Sequence, residues 1–157
     1  MAHVAHSAVV PVPYELVSKI LVEAGHDMVT PEAGRYTISL GATRISRDVT
    51  IHIEPPFETA TEPLRYTAIH FAISDRSHPN AFPRLQADLQ AIPRPDGATD
   101  ISVDGWYEPP TRTLGEAIDA VALNRLARPA IRRHFKQILG RLEDESHRRL
   151  QTLGESH

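Results

Sequence analysis

The chain has 157 residues, no cysteine and a formal net charge of -3. That length suits one domain able to bury about two-thirds of its unfolded surface, so it folds without staples. The composition excludes disulfides, thiolate zinc sites and a cysteine nucleophile, and it offers no basic surplus to nucleic-acid phosphates.

The first segment, His3 to Val10, is rich enough in β-formers to read as a strand, and Pro11 and Pro13 stop it. Pro13 then opens a helix, because a missing N–H costs little in a first turn. Leu16, Ile20 and either Val17 or Leu21 give that helix one apolar face, and Gly25 is read as its end. Arg35 to Leu40 reads as a strand, Gly41 as a turn, and Arg44 to Ile53 as the next strand. There Val49, Ile51 and Ile53 alternate with Asp48, Thr50 and His52, the period of a half-buried strand.

Leu64 to Ile73 places Ile69, Phe71 and Ile73 on one face and Tyr66, Ala68, His70 and Ala72 on the other. Arg84 to Ile92 alternates Leu85, Ala87, Leu89 and Ala91 against Arg84, Gln86, Asp88 and Gln90. Pro93-Arg94-Pro95-Asp96-Gly97 is a turn, with proline fixing φ and glycine supplying a positive one. Asp100 to Tyr107 returns as the partner strand, with Ile101, Val103 and Tyr107 facing together.

Thr113, followed by Glu116, has the spacing of a capping box. A helix is predicted from about Leu114 to Leu153, with Leu114, Ile118, Val121, Leu126, Ile131, Phe135, Ile138 and Leu142 on its apolar side. Pro129 removes a hydrogen bond inside it, which predicts a kink or break. Segregated strands and helices indicate an α+β domain over residues 1–150, with 151–157 a frayed tail. An apolar sheet face needs a cover, and the final helix is the only large element this reading provides.

Three stretches carry a resemblance. They are Pro63-Leu64-Arg65-Tyr66-Thr67-Ala68, Phe82-Pro83-Arg84-Leu85-Gln86-Ala87-Asp88-Leu89, and Gly105-Trp106-Tyr107-Glu108-Pro109-Pro110 with the following Leu114-Gly115 and Ala117-Ile118-Asp119. With the element order, these resemble the START-like (SRPBCC, helix-grip) superfamily, which includes pollen-allergen-like lipid binders and polyketide cyclase/dehydratase-type proteins. The likeness is greatest to small actinobacterial members. Tyr66 stands where such proteins often carry tryptophan, and Gly25 to Arg35 looks short for their second small helix. The resemblance implies a curved antiparallel sheet wrapped around the C-terminal helix, with an apolar cavity between them.

A small hydrophobic ligand (lipid, polyketide or aromatic) is the partner this implies. Alternation nominates the liners from the sheet: Val49 and Ile51, Ile69 and Phe71, then Leu85, Ala87 and Leu89, and finally Ile101, Val103 and Tyr107. Ile118, Val121, Ile131 and Phe135 would face them from the helix. The same side chains are equally able to fill a solid core. A cyclase or dehydratase would need an inward titratable group, for which Tyr107, then His70 and Tyr66, are the candidates. A structural or protein-interaction domain, with a homodimer surface, is the third reading.

The nine histidines show no metal-ligand spacing. His3 and His6 fall on opposite strand faces. His52 and His70 read as outer-face residues, and His134, His147 and His157 as exposed. Arg84 and Asp88 read as an outer charge ladder, and Trp106 and Tyr107 point to opposite faces. No phosphate loop or nucleophile motif occurs, so no metal or cofactor is expected. No apolar run approaches the roughly 20 residues of a membrane span. Met1 to His6 lacks the basic region and apolar core of a signal peptide, and the expected location is the cytoplasm.

Overall fold

A computed structural model describes residues 2–40, 43–59, 65–77, 84–108 and 120–155. Strand β1 (Ala2–Val10) leads into helix α1 (Tyr14–Val29) and a 3-10 turn at Glu32–Gly34. Then come β2 (Arg35–Leu40), β3 (Thr43–Ile53), β4 (Phe57–Thr59), β5 (Tyr66–Asp75), β6 (Arg84–Pro93), β7 (Thr99–Glu108) and α2 (Ala120–Glu155). The strands form one antiparallel sheet in the order β1-β7-β6-β5-β3-β2, with β4 added to β5. Although β1 and β2 lie at opposite ends of that order, both touch α2. The sheet therefore curls until its two ends meet one helix.

Alternation sets the two faces. On β5 the buried residues are Thr67, Ile69, Phe71 and Ile73, and on β6 they are Leu85, Ala87, Leu89 and Ala91. Ile101, Val103 and Tyr107 continue the inner face on β7. The hairpin turn between β6 and β7 has Gly97 at φ 88°, the left-handed conformation that glycine adopts without a Cβ clash.

Pairing lines these residues up in rows. One row runs Phe71, Ala87, Gly105 and Val4 across β5, β6, β7 and β1. Its two middle members are the smallest side chains available, which deepens the sheet's concave face. A Cβ on Gly105 would lie 2.7 Å from the Gln86 carbonyl oxygen and 3.0 Å from Cβ of Ala87, so the curl there requires glycine.

Helix α1 corrects the sequence reading in two respects. It does not end at Gly25 but bends at Ala24 (φ -135°, ψ 24°) and continues to Val29. The second helical piece expected to be missing is thus present, joined to the first. Gly25 is there for space: a Cβ would approach Ile69 Cδ1 to 2.6 Å. Close packing onto β5 overrides glycine's tendency to stop a helix. The second respect is cover. Val17, Ile20 and Leu21 bury against the sheet, so α1 shares with α2 the task given to the last helix alone.

Strand β4 was not foreseen. Pro55-Pro56 ends β3 as expected, yet the chain then returns to pair Phe57, Glu58 and Thr59 with Ala68, Thr67 and Tyr66. Beneath α1, Tyr14 and Ser18 hydrogen-bond the fully buried Thr67 hydroxyl at 2.7 and 2.6 Å, and Ser18 donates to Glu58 at 2.9 Å. Buried hydroxyls are satisfied in this way without water. Asp75, also buried, accepts two bonds from Arg47 at 2.8 and 3.1 Å.

Helix α2 buries Ile131, Phe135, Ile138 and Leu142, spaced four, three and four apart along one stripe. It runs through Pro129 as one helix, so no break occurs. Pro129 is exposed, which puts the carbonyl it leaves unbonded on the solvent side. Residues 151–155 continue the helix. The expected start at Thr113 and the liner Ile118 fall outside the described residues, as does the side chain of Val121. Arg141 ties α2 to α1 by donating to the carbonyls of Asp27 (3.3 Å), Met28 (3.2 Å) and Thr30. A cation there answers the unpaired carbonyls and negative dipole end of α1. Among the described residues no helix is long and apolar enough to cross a membrane.

Candidate functional site

The polar centre of the interior is a residue the sequence reading placed on the surface. His134 is 4% exposed. It belongs to the buried stripe of α2 because it is one residue before Phe135 and three after Ile131, on the edge turned toward β2. Its Nε2 lies 2.7 Å from the Val29 carbonyl oxygen and its Nδ1 2.7 Å from the Tyr36 hydroxyl.

Those partners fix the tautomer. A carbonyl only accepts, so Nε2 carries the proton. Nδ1 then offers its lone pair, and Tyr36 donates. Burial holds the imidazole's pKa down to about 4, mainly by desolvation, with Arg141 adding to the effect and the Val29 bond opposing it. Protonating it at neutral pH would cost roughly 4 kcal/mol. The ring also meets Tyr36 and Phe71 edge-on, with centroids 5.5 and 6.0 Å away.

Tyr107 adjoins this pair. Burial raises the Tyr36 phenol well above its ordinary range, and Tyr107 raises it further. Burial likewise pushes Tyr107 up, while the charge of Arg128 draws it back. Arg128, Tyr107, Tyr36 and His134 thus form a polar row linked by charge interactions and, at its end, by a hydrogen bond. Tyr107, the first of the predicted inward groups, stands in it at 4% exposure.

The other two candidates stand elsewhere. His70 is half-buried on the outer face, its Nδ1 2.8 Å from Asp88 Oδ1. Tyr66 is half-buried beside the exposed Phe57, centroids 6.1 Å apart. Neither belongs to the polar row. Trp106 is exposed on the outer face next to His3, which bonds Asp104. His52 and Arg84 are exposed, and Asp88 is taken by His70.

The apolar residues nominated as liners divide into groups. Ile69, Leu89 and Ile101 are at most 1% exposed and belong to the packed core, Ile69 lying directly under α1. Val49, Leu85, Ala87 and Val103 are also buried, and Ile51 is half-buried against the same core. Phe71, Ile131 and Phe135 lie nearer the polar row: Phe71 touches His134, and Phe135 stacks on His6 at 6.0 Å.

Among the described residues, α2 forms two pockets against the ends of the sheet. One, of about 300 Å³, lies between α2, the 3-10 turn and β2, and both Tyr36 and His134 line it with Ala130, Arg133 and Gln137. The other, of about 430 Å³, lies between α2 and β1, lined by His6, Arg128, Pro129, Arg132, Arg133 and Lys136. The sequence did carry a signal for this region. From Ala120 to Leu142 it has six cations and no acid, in a chain of net charge -3. Among the described residues no group of three potential ligands is arranged to hold a metal.

No protein-family model matches the chain, and no curated protein matches it. Solved structures do. The crystal structure of a conserved protein from Geobacillus kaustophilus superposes with a TM-score of 0.51 at 16% identity, covering 91% of this chain and 96% of the other. Ara h 8.0201 gives 0.50 at 16% identity, covering 91% and 98%. The Zhui aromatase/cyclase from Streptomyces sp. R1128 gives 0.49 at 13% identity, covering 95% of each chain. These likenesses concern the fold. The chain has the helix-grip fold, a curled antiparallel sheet closed by a long C-terminal helix.

Proposed function

We propose that this chain binds a small molecule with an apolar body and one hydrogen-bonding group, seated where α2 crosses the mouth of the curled sheet. The observation that carries the reading is the Tyr36–His134 pair. It lies at a pocket of about 300 Å³, near the lower end of the roughly 300–1,000 Å³ typical of ligand sites. Pro31, Ala33 and Ala130 give the pocket its apolar wall, and Tyr36 and His134 are the fixed polar groups among the charged residues at its rim.

Binding fits the pair better than turnover does. Both nitrogens of His134 are engaged, and its proton affinity is far below neutrality. Tyr36 is shifted the other way. Moving a proton from this phenol to this imidazole is therefore steeply uphill. The Tyr36 oxygen, its proton directed at Nδ1, keeps lone pairs to accept a bond from a ligand hydroxyl.

The test uses 2-naphthalenemethanol, a flat apolar body with one hydroxyl, titrated by calorimetry. Saturable one-to-one binding is expected, weakened about 2- to 10-fold in Tyr36→Phe, the worth of one hydrogen bond. Native mass spectrometry of gently purified protein should retain a small-molecule adduct. Absence of saturable binding, or equal affinity in Tyr36→Phe, overturns the reading.

A further inference from the structure

We propose that the second pocket, between α2 and β1, is a separate site for an organic anion: a carboxylate or phosphate carried on a flat apolar body. It does not depend on the Tyr36–His134 pocket, which lies on the other side of the helix.

The cations that line it are arranged against the interests of the helix. Arg128, Arg132 and Lys136 follow one another at i, i+4 and i+8. Like charges at that spacing destabilise a helix by about 0.2–0.5 kcal/mol per pair. Nor does the dipole of α2 favour them: Arg128, Arg132 and Lys136 lie well inside the helix, away from its C-terminal turn. Helix stability thus gives no reason for these charges.

Nor do protein partners. Elsewhere Arg35, Arg47, Arg65, Arg94, Arg148 and Arg149 are each bonded to carboxylates. Among the described residues Arg128, Arg132, Arg133 and Lys136 have no carboxylate within ion-pair reach, and no acid lines the pocket. The charges converge on a concavity of about 430 Å³ rather than on a flat face.

His6 supplies an independent sign. It projects from the inner face of β1, stacks on Phe135, and its buried Nε2 has no hydrogen-bond partner. An unpaired buried polar atom costs about 1–3 kcal/mol. Desolvation and then Arg132 lower its pKa, and an anion beside Arg132 would reverse the second effect. The apolar part of the preference comes from Pro129 and the methylene stems of the cations, with guanidinium planes free to stack on a ring.

The probes are 2-naphthoate, 2-naphthyl phosphate and the uncharged 2-naphthalenemethanol, titrated at low salt against the full chain. At least one anion should bind about tenfold or more tightly than the alcohol, a difference of about 1.4 kcal/mol. The stronger of the two identifies the acid. The advantage should shrink with salt and fall to within about twofold in an Arg132→Gln/Lys136→Gln double variant, a loss of charge-assisted bonds. The His6 ring should titrate at higher pH when the anion is bound. Tyr36→Phe should leave the anion's own affinity unchanged within about twofold while weakening the alcohol's, which separates this site from the other. Equal affinity for anions and alcohol, or an advantage that survives the double variant, overturns the proposal. So does an anion affinity lost in Tyr36→Phe.

Discussion

The Tyr36 hydroxyl donates to Nδ1 of His134 across 2.7 Å, joining β2 to α2 over a sequence separation of 98 residues. The bond ties one end of the curled sheet to the helix that closes it. Tyr36→Phe removes the donor and leaves Nδ1 buried without a partner, at a cost of about 1–3 kcal/mol. Urea denaturation should show a lower midpoint with an unchanged slope. His134→Phe removes the acceptor and also the bond to Val29. In a double-mutant cycle the two changes should be non-additive by at least about 0.5 kcal/mol. Strict additivity would mean that the bond contributes nothing.

The same histidine predicts an acid limb in stability. Its folded pKa, about 4, lies below the usual 6.5. Between these values the unfolded chain binds a proton that the folded chain refuses, so stability rises with pH through this window. The contribution is complete above about pH 6.5 and is lost progressively down to about pH 4, amounting to roughly 3 kcal/mol. The melting temperature should therefore fall over that range, and fall less in His134→Phe. Glu145, held down to about 2 by Arg148 and Arg149, begins to lose its contribution near pH 4.5, and most of that loss falls below this range. Identical profiles for the two proteins between pH 4 and 6.5 would refute the assignment.

The strands were legible because their signal is local. A period of two, repeated over eight to ten residues with glycine and proline at the joins, leaves little choice of face. What was missed depended on contacts between distant segments. Glycine at position 25 reads as a helix end until Ile69 is placed over it. A three-residue strand such as β4 has too few residues to show any period. His134 was judged by its residue type, but the width of a helix's buried stripe is set by what packs on either side. Here β2 and the end of α1 extend it by one residue. The charge run in α2 was readable, and it acquires meaning only beside the pocket that gathers it.

Two glycines should respond differently to alanine. At Gly105 the new methyl would meet the backbone oxygen of Gln86 at 2.7 Å. That atom is fixed by the β6–β7 pairing, so the sheet must open. At Gly25 the contact is the tip of Ile69, at 2.6 Å, which can rotate away. Overpacking costs about 1–3 kcal/mol; Gly105→Ala should fall in the upper part of that range and Gly25→Ala in the lower. Chemical denaturation of both variants ranks them directly. A larger loss at Gly25 would contradict the view that the sheet's curl is tightest at Gly105.

Arg141 should be worth more than a surface cation. Its guanidinium reaches three carbonyls at the end of α1, groups that the helix itself leaves unbonded. Exposed ion pairs contribute about 0–1 kcal/mol, whereas hydrogen bonds to a charged group contribute about 1.5–3 kcal/mol. Arg141→Met preserves the apolar stem and removes the donors, so it isolates the charged bonds. A loss of about 1.5 kcal/mol or more is expected, with faster amide hydrogen exchange near the end of α1. Because α1 and α2 close the sheet together, releasing this tie should also increase exchange at Val29, whose carbonyl holds His134. Arg149→Met, which breaks only the 3.4 Å pair with Glu23 and the intrahelical pair with Glu145, should cost less. If the two substitutions are equivalent, the junction is an ordinary surface ion-pair contact, not a cap.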